Sequence, residues 1–224
     1  MSRVLVIAPH MDDEVLGVGG TICKHLADGD TVKVLFLGNR VYGHQLDLSI
    51  LEREESHALV AKEILGYQEV EFARLPDEQL EVHLVEVLDT IERAAGTVSP
   101  ETVYVNHGGD PHQDHRAVFN AATIACRAIG ASARSIRRLF CYEIPSSTDQ
   151  SSPVVEPVFR PNHFVEIESF LSKKLRAMRA YDTEQRTFPH PRSERGLEVQ
   201  ARARGVACHM TAAEAFMILR QEWR

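Results

Sequence analysis

The feature that most constrains the fold is an alternation, between residues 3 and 144, of short apolar segments and longer amphipathic windows. The short segments are rich in β-branched and aromatic residues, which is typical of buried strands. They are residues 3–9, 31–37, 70–75, 102–106 and 138–144. The windows between them carry apolar residues at helical spacing. They are residues 14–28, 50–65, 79–95 and 115–130.

This alternation predicts an α/β protein with a Rossmann-like, mostly parallel sheet and helices on both faces, in which ligands bind beyond the carboxyl ends of the strands. After residue 145 the rhythm changes, beginning with the polar loop "PSSTDQSSP". The pattern there predicts a β excursion at 154–167 and helices at 168–181, 193–204 and 211–222. We expect residues 145–224 to form a C-terminal extension that packs on the core, which makes 1–224 a single domain.

Composition limits the classes of protein that remain. The 224 residues are 44% hydrophobic, enough for a substantial core. With 25 basic and 32 acidic side chains and no long basic block, the chain is not expected to bind nucleic acid. The four cysteines are widely spaced and form no C-x-x-C pair, which favours a reducing cytoplasm. The N-terminal apolar run is too short for a signal peptide or a membrane span.

The first chemistry-bearing cluster is "PHMDDE", at the end of the first predicted strand. It places Asp12 and Asp13 at a helix start, where backbone N–H groups and the helix dipole favour carboxylates. Helix capping needs only one acid, however. His10 and two adjacent acids offer two ligands for a metal ion and one further carboxylate for a proton.

The second cluster is "NHGGDPHQDHRAV", which follows the predicted strand 102–106 and opens another helix. His112 and His115 are three residues apart and share one side of the first helical turn. If the first and fourth strands are near neighbours, His10, Asp13 and His115 converge on one cation. Two imidazoles, one carboxylate and an open position are the usual arrangement of a catalytic zinc.

Each cluster also has a purely structural explanation. A histidine at a strand end is often only hydrogen-bonded, and acids at a helix start often act as caps. If both clusters are caps, the protein is a binding module with no metal and no deep pocket. The position of both clusters at the carboxyl ends of predicted strands favours metal catalysis instead.

The two motifs together resemble the PIG-L or LmbE-like family of zinc-dependent N-deacetylases. The first motif of that family reads [AP]-H-P-D-D-E, and its second motif ends in D-H. Further similarity runs through "VLGVGGTI", "AKEILG", "RAVFNAA" and "AEAF", so the resemblance covers most of the chain.

The resemblance implies a role for each matching residue. It makes His10, Asp13 and His115 the ligands of one zinc ion per chain. It makes Asp12 the general base and His112 the group that stabilises the oxyanion or protonates the leaving amine, with Asp114 orienting His112.

The resemblance and the sequence also suggest substrate contacts. Arg53 and Asp77 resemble an arginine and an aspartate that contact substrate in the family. Asn39 and Arg40 follow the second predicted strand, and Arg192 lies in "HPRSER", so these side chains are candidates for holding an anionic group of the substrate. The alternative for each arginine is solvated surface charge.

The predicted activity is removal of an N-acetyl group from an amino sugar or glycoside-like small molecule by water activated on zinc. Two other enzymatic interpretations stay open. On the same fold, a metal-activated water can hydrate an unsaturated ring-cleavage acid, as in one branch of the family. His10, Asp12 and His115 also match a two-histidine, one-carboxylate iron site. The particular substrate is not encoded in the sequence, and the resemblance leaves a homo-oligomer open.

Overall fold

The computed structural model describes residues 1–40, 47–131, 133–152, 154 and 157–223. Seven strands lie in these ranges: β1 (Arg3–Ala8), β2 (Thr31–Gly38), β3 (Glu69–Leu75), β4 (Thr102–Asn106), β5 (Arg138–Tyr142), β6 (His163–Glu166) and β7 (Ala213–Gln221). The same ranges contain six α-helices: α1 (Asp13–Ala27), α2 (Leu48–Leu65), α3 (Leu84–Val98), α4 (Gln113–Ala125), α5 (Glu168–Met178) and α6 (Glu194–Val206). None of these helices is long and apolar enough to cross a membrane.

The strands form one sheet in the order β3-β2-β1-β4-β5-β7-β6. Strands β1 to β5 are parallel, whereas β7 runs antiparallel to both β5 and β6. The chain order reverses between β1 and β4, where Ile7 is paired with Val105. A crevice at such a switch point is the usual ligand site of this architecture, and both motif loops leave the sheet there. The mostly parallel α/β fold expected from the sequence is therefore confirmed.

Alternate residues of the central strands point into two separate hydrophobic cores, one on each face of the sheet. Val4 and Val6 face a core that α1, α2, α5 and α6 cover, whereas Leu5 and Ile7 face one that α3 and α4 cover. All four β1 side chains are fully buried. Burial on both faces explains why this strand is apolar throughout instead of alternating with polar residues.

Helix α1 packs unusually close to the sheet. A Cβ atom at Gly17 would lie 2.1 Å from Cδ2 of Tyr142, so only glycine fits at this position. The Tyr142 hydroxyl donates to Ile7 O at 2.8 Å and so ties β5 to β1 across β4. The glycine-rich helix that follows the first motif therefore keeps that motif close to the strand ends.

One element of the tail prediction is wrong. Residues 211–222 were expected to be helical, but β7 occupies most of this range. The segment "AEAFMILRQ" combines good helix formers with a continuous apolar run that has no clear period. Pairing with β5 and β6 overrides the local preference. Among the described residues of 154–167, the β excursion is limited to β6, and helices α5 and α6 confirm the other two helical segments.

Candidate metal centre and its surroundings

The two motif loops meet at the switch point between β1 and β4. The first loop leads from Ala8 to the start of α1, and the second leads from Asn106 to the start of α4. The Asn106 side-chain amide donates to His115 O at 2.8 Å and to His107 O at 3.1 Å. This amide therefore holds the first turn of α4 against the end of β4.

The three predicted metal ligands lie together in the interior. His10 Nδ1 is 3.3 Å from His115 Nε2 and 3.5 Å from Asp13 Oδ2. His115 Nε2 is 3.5 Å from the same carboxylate oxygen. The three residues are only 1–4% exposed. Ligand atoms at about 2.0–2.1 Å from a tetrahedral zinc ion are about 3.3–3.4 Å apart, so the size of this triangle fits zinc.

The outer nitrogen of each ligand ring faces a carboxylate. His10 Nε2 lies 2.8 Å from Asp77 Oδ1 and 3.1 Å from Asp114 Oδ2. His115 Nδ1 lies 3.0 Å from Asp110 Oδ2, although off the ideal hydrogen-bond direction. Carboxylates in these positions hold the ring protons on the outer nitrogens, as in most protein zinc sites.

The inner nitrogens and Asp13 then need a cation between them. With the ring protons outside, two nitrogen lone pairs and a carboxylate oxygen point at one another. Asp13 Oδ1 is buried and has no hydrogen-bond partner among the described residues. Burial alone would raise the pKa of Asp13, but positive charge beside it, at His115 and His10, lowers the pKa below its usual value, so a cation at this point favours the ionised carboxylate. The donor set fits a bound divalent metal ion.

The Asp114 carboxylate contacts different groups from those expected. Beyond its contact with His10, it accepts the Glu78 N–H at 2.7 Å and the Leu80 N–H at 2.9 Å. Only its backbone N–H reaches His112. The geometry therefore makes the Asp114 carboxylate an orienting group for His10 and for the 78–80 turn, not for His112.

His112 caps helix α4 with its own ring. Its Nδ1 accepts the Asp114 N–H at 3.2 Å, which leaves the ring proton on Nε2. The ring stacks on His115 with centroids 4.6 Å apart. Burial lowers the pKa of His112 to about 4, and the neighbouring His10 and His115 act in the same direction. A half-buried neutral imidazole of this kind can donate a hydrogen bond at neutral pH.

Asp12 points away from the helix that it precedes. Its backbone φ is 126°, a strained value for a residue with a side chain, and its carboxylate makes no capping hydrogen bond. Arg40 Nη1 lies 3.2 Å from Asp12 Oδ1, and Arg192 Nη1 lies 3.0 Å from Oδ2. Burial raises the pKa of Asp12, while the guanidinium groups of Arg40 and Arg192 act in the opposite direction.

These contacts decide against two of the interpretations from the sequence. Asp12 does not cap α1, so the helix-cap explanation fails for this residue. The iron interpretation needs Asp12 as a ligand beside His10 and His115. The carboxylate within 3.5 Å of both rings is that of Asp13. Arg40 and Arg192 are also not solvated surface charge, because Arg40 is 5% exposed and the Arg192 side chain 16% exposed.

The remaining predicted residues fall into two groups. Asn39 and Asp77 are buried behind His10, where Asn39 Oδ1 accepts the Asp77 N–H at 3.2 Å. Arg53 lies outside this buried cluster. Its side chain is 55% exposed, and its Nη2 pairs with Asp182 at 3.0 Å. The structure therefore brings every predicted side chain except that of Arg53 into two buried groups, one around the predicted metal ligands and one in which Arg40 and Arg192 contact Asp12.

Two functional candidates were missed from the sequence. Asp110 accepts the hydroxyls of Ser147 and Thr148 and faces His115, so it anchors the second motif. The acid in "GGDP" just ahead of the two histidines was an available signal for it. Glu184 contacts both Arg40 and Arg192, and no motif in its surroundings indicates that role.

The family of the chain follows from comparison with known proteins. The model of the PIG-L family, described as GlcNAc-PI de-N-acetylase, matches residues 5–126, more than half of the chain. The matched range contains both motifs and the triangle of His10, Asp13 and His115, which we call the metal triangle. The chain belongs to the PIG-L family.

Individual proteins are also similar to the chain. The chain is 27% identical to the diacetylchitobiose deacetylase of Thermococcus kodakarensis over 199 residues, which cover 82% of this chain and 70% of the relative. A conserved protein of Thermus thermophilus has a structure similar to that of the chain, with a TM-score of 0.78, 25% identity, and coverage of 100% of this chain and 97% of that protein. The hydratase GalB shares the fold at 22% identity and a TM-score of 0.74, with coverage of 100% and 98%.

Proposed function

We propose that this protein is a zinc-dependent N-deacetylase of an N-acetylated amino sugar or glycoside-like small molecule. The observation that carries the proposal is the buried triangle of His10 Nδ1, Asp13 Oδ2 and His115 Nε2. Membership of the PIG-L family and similarity to a diacetylchitobiose deacetylase support the chemistry and the class of substrate.

The residues around the triangle have different roles in amide hydrolysis. Zinc, when bound, supplies a Lewis acid and lowers the pKa of a coordinated water to about 7. Asp12 accepts a proton from the attacking water as the water oxygen bonds to the carbonyl carbon. His112 Nε2–H donates a hydrogen bond to the oxyanion. The proton held by Asp12 then passes to the departing nitrogen, the C–N bond breaks, and the products are acetate and a free amine.

The second layer of residues orients these groups. Asp77 and Asp114 hold His10, and Asp110 holds His115. Such carboxylates fix the ring orientation of the ligands and raise their basicity. Substrate contact by Asn39, Arg40, Arg53, Asp77 and Arg192 stays a prediction, as do one zinc per chain, the single-domain assignment of 1–224 and a cytoplasmic setting.

The test is metal analysis of the purified protein combined with amine release from N-acetylated sugars, including N-acetylglucosamine and diacetylchitobiose. We expect one zinc per chain, and its loss together with activity in His115→Ala. Asp12→Asn keeps the zinc and loses turnover by about 10²–10⁴-fold, the usual contribution of a general base. His83→Ala is the matched control, because His83 is a surface histidine paired with Glu86.

Two outcomes contradict the proposal in different ways. Protein without bound metal after purification and zinc titration means that the triangle is not a metal centre. Bound zinc without amine release, but with loss of enol absorbance from an unsaturated acid, assigns the hydratase reaction instead. The similarity to GalB supports only the shared fold.

A further inference from the structure

Four charged side chains form a closed ring next to the metal triangle. Arg40 reaches Asp12 Oδ1 at 3.2 Å through Nη1 and Glu184 Oε1 at 2.5 Å through Nη2. Arg192 Nη1 reaches Asp12 Oδ2 and Glu184 Oε2, both at 3.0 Å. We call these four residues the Asp12 charge ring. Its members come from the two ends of the chain, and the ring joins the first motif to the C-terminal extension.

The ring is buried and electrically balanced. The exposed fractions of its side chains are 0% for Asp12, 5% for Arg40, 8% for Glu184 and 16% for Arg192. Two guanidinium groups face two carboxylates. Charge-assisted hydrogen bonds of this kind are strong and directional where water is excluded, so each member restricts the rotamers of the others.

Asp12 depends on the ring for the direction of its side chain. Its backbone has a positive φ of 126°, and the helix that follows gives its carboxylate no capping hydrogen bond. The described hydrogen bonds to its two carboxylate oxygens come from Arg40 and Arg192, one on each oxygen. The position of the two guanidinium groups therefore decides where the Asp12 carboxylate points.

Glu184 is the fourth member and touches both arginines. The turn that carries it is anchored by the Thr183 hydroxyl, which donates to Glu54 Oε1 at 3.1 Å. Arg192 has a second anchor, because its Nε donates to the Ser146 hydroxyl at 2.7 Å. Both Glu184 oxygens face guanidinium nitrogens, so this carboxylate is engaged by the ring and is not placed to touch a reacting atom.

We propose that Glu184 is a positioning residue, which holds Arg40 and Arg192 on the two oxygens of Asp12 and so fixes the direction of the general base. This inference rests on the proposed function, because it takes Asp12 as the group that accepts the proton of water. Removing Glu184 leaves the two arginines without their shared anchor. Displacement of a catalytic group by about 1 Å can cost about 10²-fold in rate.

The test compares Glu184→Gln with Glu194→Gln. Glutamine keeps the shape of Glu184 and removes its charge. Glu194 is the matched control, because its carboxylate is 48% exposed, pairs with Arg179 and lies in the same extension. For Glu184→Gln we expect kcat to fall by about 10- to 100-fold. We expect KM to stay within about twofold and the zinc content to be unchanged.

A double-mutant cycle with Asp12→Asn separates positioning from general loss of structure. If Glu184 acts through Asp12, Glu184→Gln causes no further loss of the residual activity of Asp12→Asn. An equal loss in both backgrounds, or a change in KM with kcat unaltered, overturns the inference. Where Glu184→Gln gives no folded protein, Glu184→Asp replaces it in the same cycle, with an intermediate loss of kcat expected.

A crystal structure of the Glu184→Gln variant tests the positioning role of Glu184 without a measurement of activity. We expect the Asp12 carboxylate to change rotamer or to occupy two conformers. An unmoved Asp12 with both arginines still in place overturns the positioning role. If the wild-type protein releases no amine from any sugar, the proposed function fails, and the crystal structure still shows whether Glu184 orients Asp12.

Discussion

Two groups of buried charges in this protein differ in how completely their hydrogen bonds are satisfied. Lys174 and Glu214 form the first, with Nζ 2.6 Å from Oε1 and both residues 4% exposed. Lys174 also donates to Leu16 O at 2.8 Å, and the two oxygens of Glu214 accept the N–H groups of Gly20 and Thr21. This pair hydrogen-bonds to backbone groups in the middle of α1 and links that helix to α5 and β7.

The metal triangle is the second group, and it is only partly satisfied. Asp13 Oδ1 lacks a hydrogen-bond partner among the described residues. The inner nitrogens of His10 and His115 face each other at 3.3 Å. Buried polar groups in native proteins are almost always paired, so acceptors clustered in this way around one point indicate a binding site for a cation. The comparison separates charges that hold the fold from charges whose arrangement fits a metal ion.

Lys174→Met tests whether the Lys174–Glu214 pair stabilises the fold. It has the largest expected effect of the substitutions considered, a loss in the free energy of unfolding. It leaves the Glu214 carboxylate buried without its cation, and breaking a buried ion pair in this way costs about 3–5 kcal/mol. Urea denaturation at equilibrium measures the free energy of unfolding. The zinc content and kcat of the folded fraction should be unchanged.

The control for Lys174→Met is Lys62→Met, since the contact of Lys62 with Glu63 is long, at 3.8 Å. Its free energy of unfolding should stay close to that of the wild type. A loss below about 1 kcal/mol for Lys174→Met, the range of surface pairs, would show that the Lys174–Glu214 pair does not stabilise the fold as argued.

Asp114→Asn tests the part of the comparison that concerns the metal triangle. The Glu78 and Leu80 N–H groups bond to different oxygens of Asp114, so the amide keeps an acceptor for only one of them, and it removes the charge that faces His10 Nε2. Loss of such a carboxylate partner weakens zinc binding by about 10- to 100-fold, or about 1.4–2.7 kcal/mol. Competition with a chromophoric chelator measures the affinity. Asp89→Asn, at an exposed position of α3, serves as control. Unchanged zinc affinity in Asp114→Asn would show that the Asp114 charge does not support His10 as a ligand, which leaves Asp77 as the carboxylate that orients this ring.

Much of the fold and of the centre could be predicted because local patterns encode them. Parallel strands buried on both faces have continuous apolar sequences, and the proposed metal ligands lie in two short motifs at strand ends. The C-terminal extension was harder. The β7 sequence suits a helix until β5 and β6 pair with it, and Glu184 acquires its role only when the 182–184 turn meets Arg40. Contacts between distant parts of the chain leave no local pattern in the sequence.

Two buried threonine hydroxyls, one paired and one unpaired, extend the comparison. They have the smallest expected effect on the free energy of unfolding. Thr102 Oγ1 is buried near the amino end of β4 and has no partner among the described residues, far along the strand from the metal centre. Thr148 is also buried, but its hydroxyl donates to Asp110 and accepts the Ile144 N–H.

Valine in place of either threonine keeps the shape and removes the hydroxyl. Because Thr102 loses no hydrogen bond, we expect Thr102→Val to change the free energy of unfolding by less than about 1 kcal/mol, in the stabilising direction. Thr148→Val leaves the Ile144 N–H unpaired and removes one donor from Asp110, so it should cost about 1–3 kcal/mol. Thermal and urea unfolding of the two variants give the comparison directly. If Thr102→Val destabilises as much as Thr148→Val, then an unpaired buried group outside the metal centre stabilises the fold, and unpaired acceptors within the centre lose their value as a sign of a cation site.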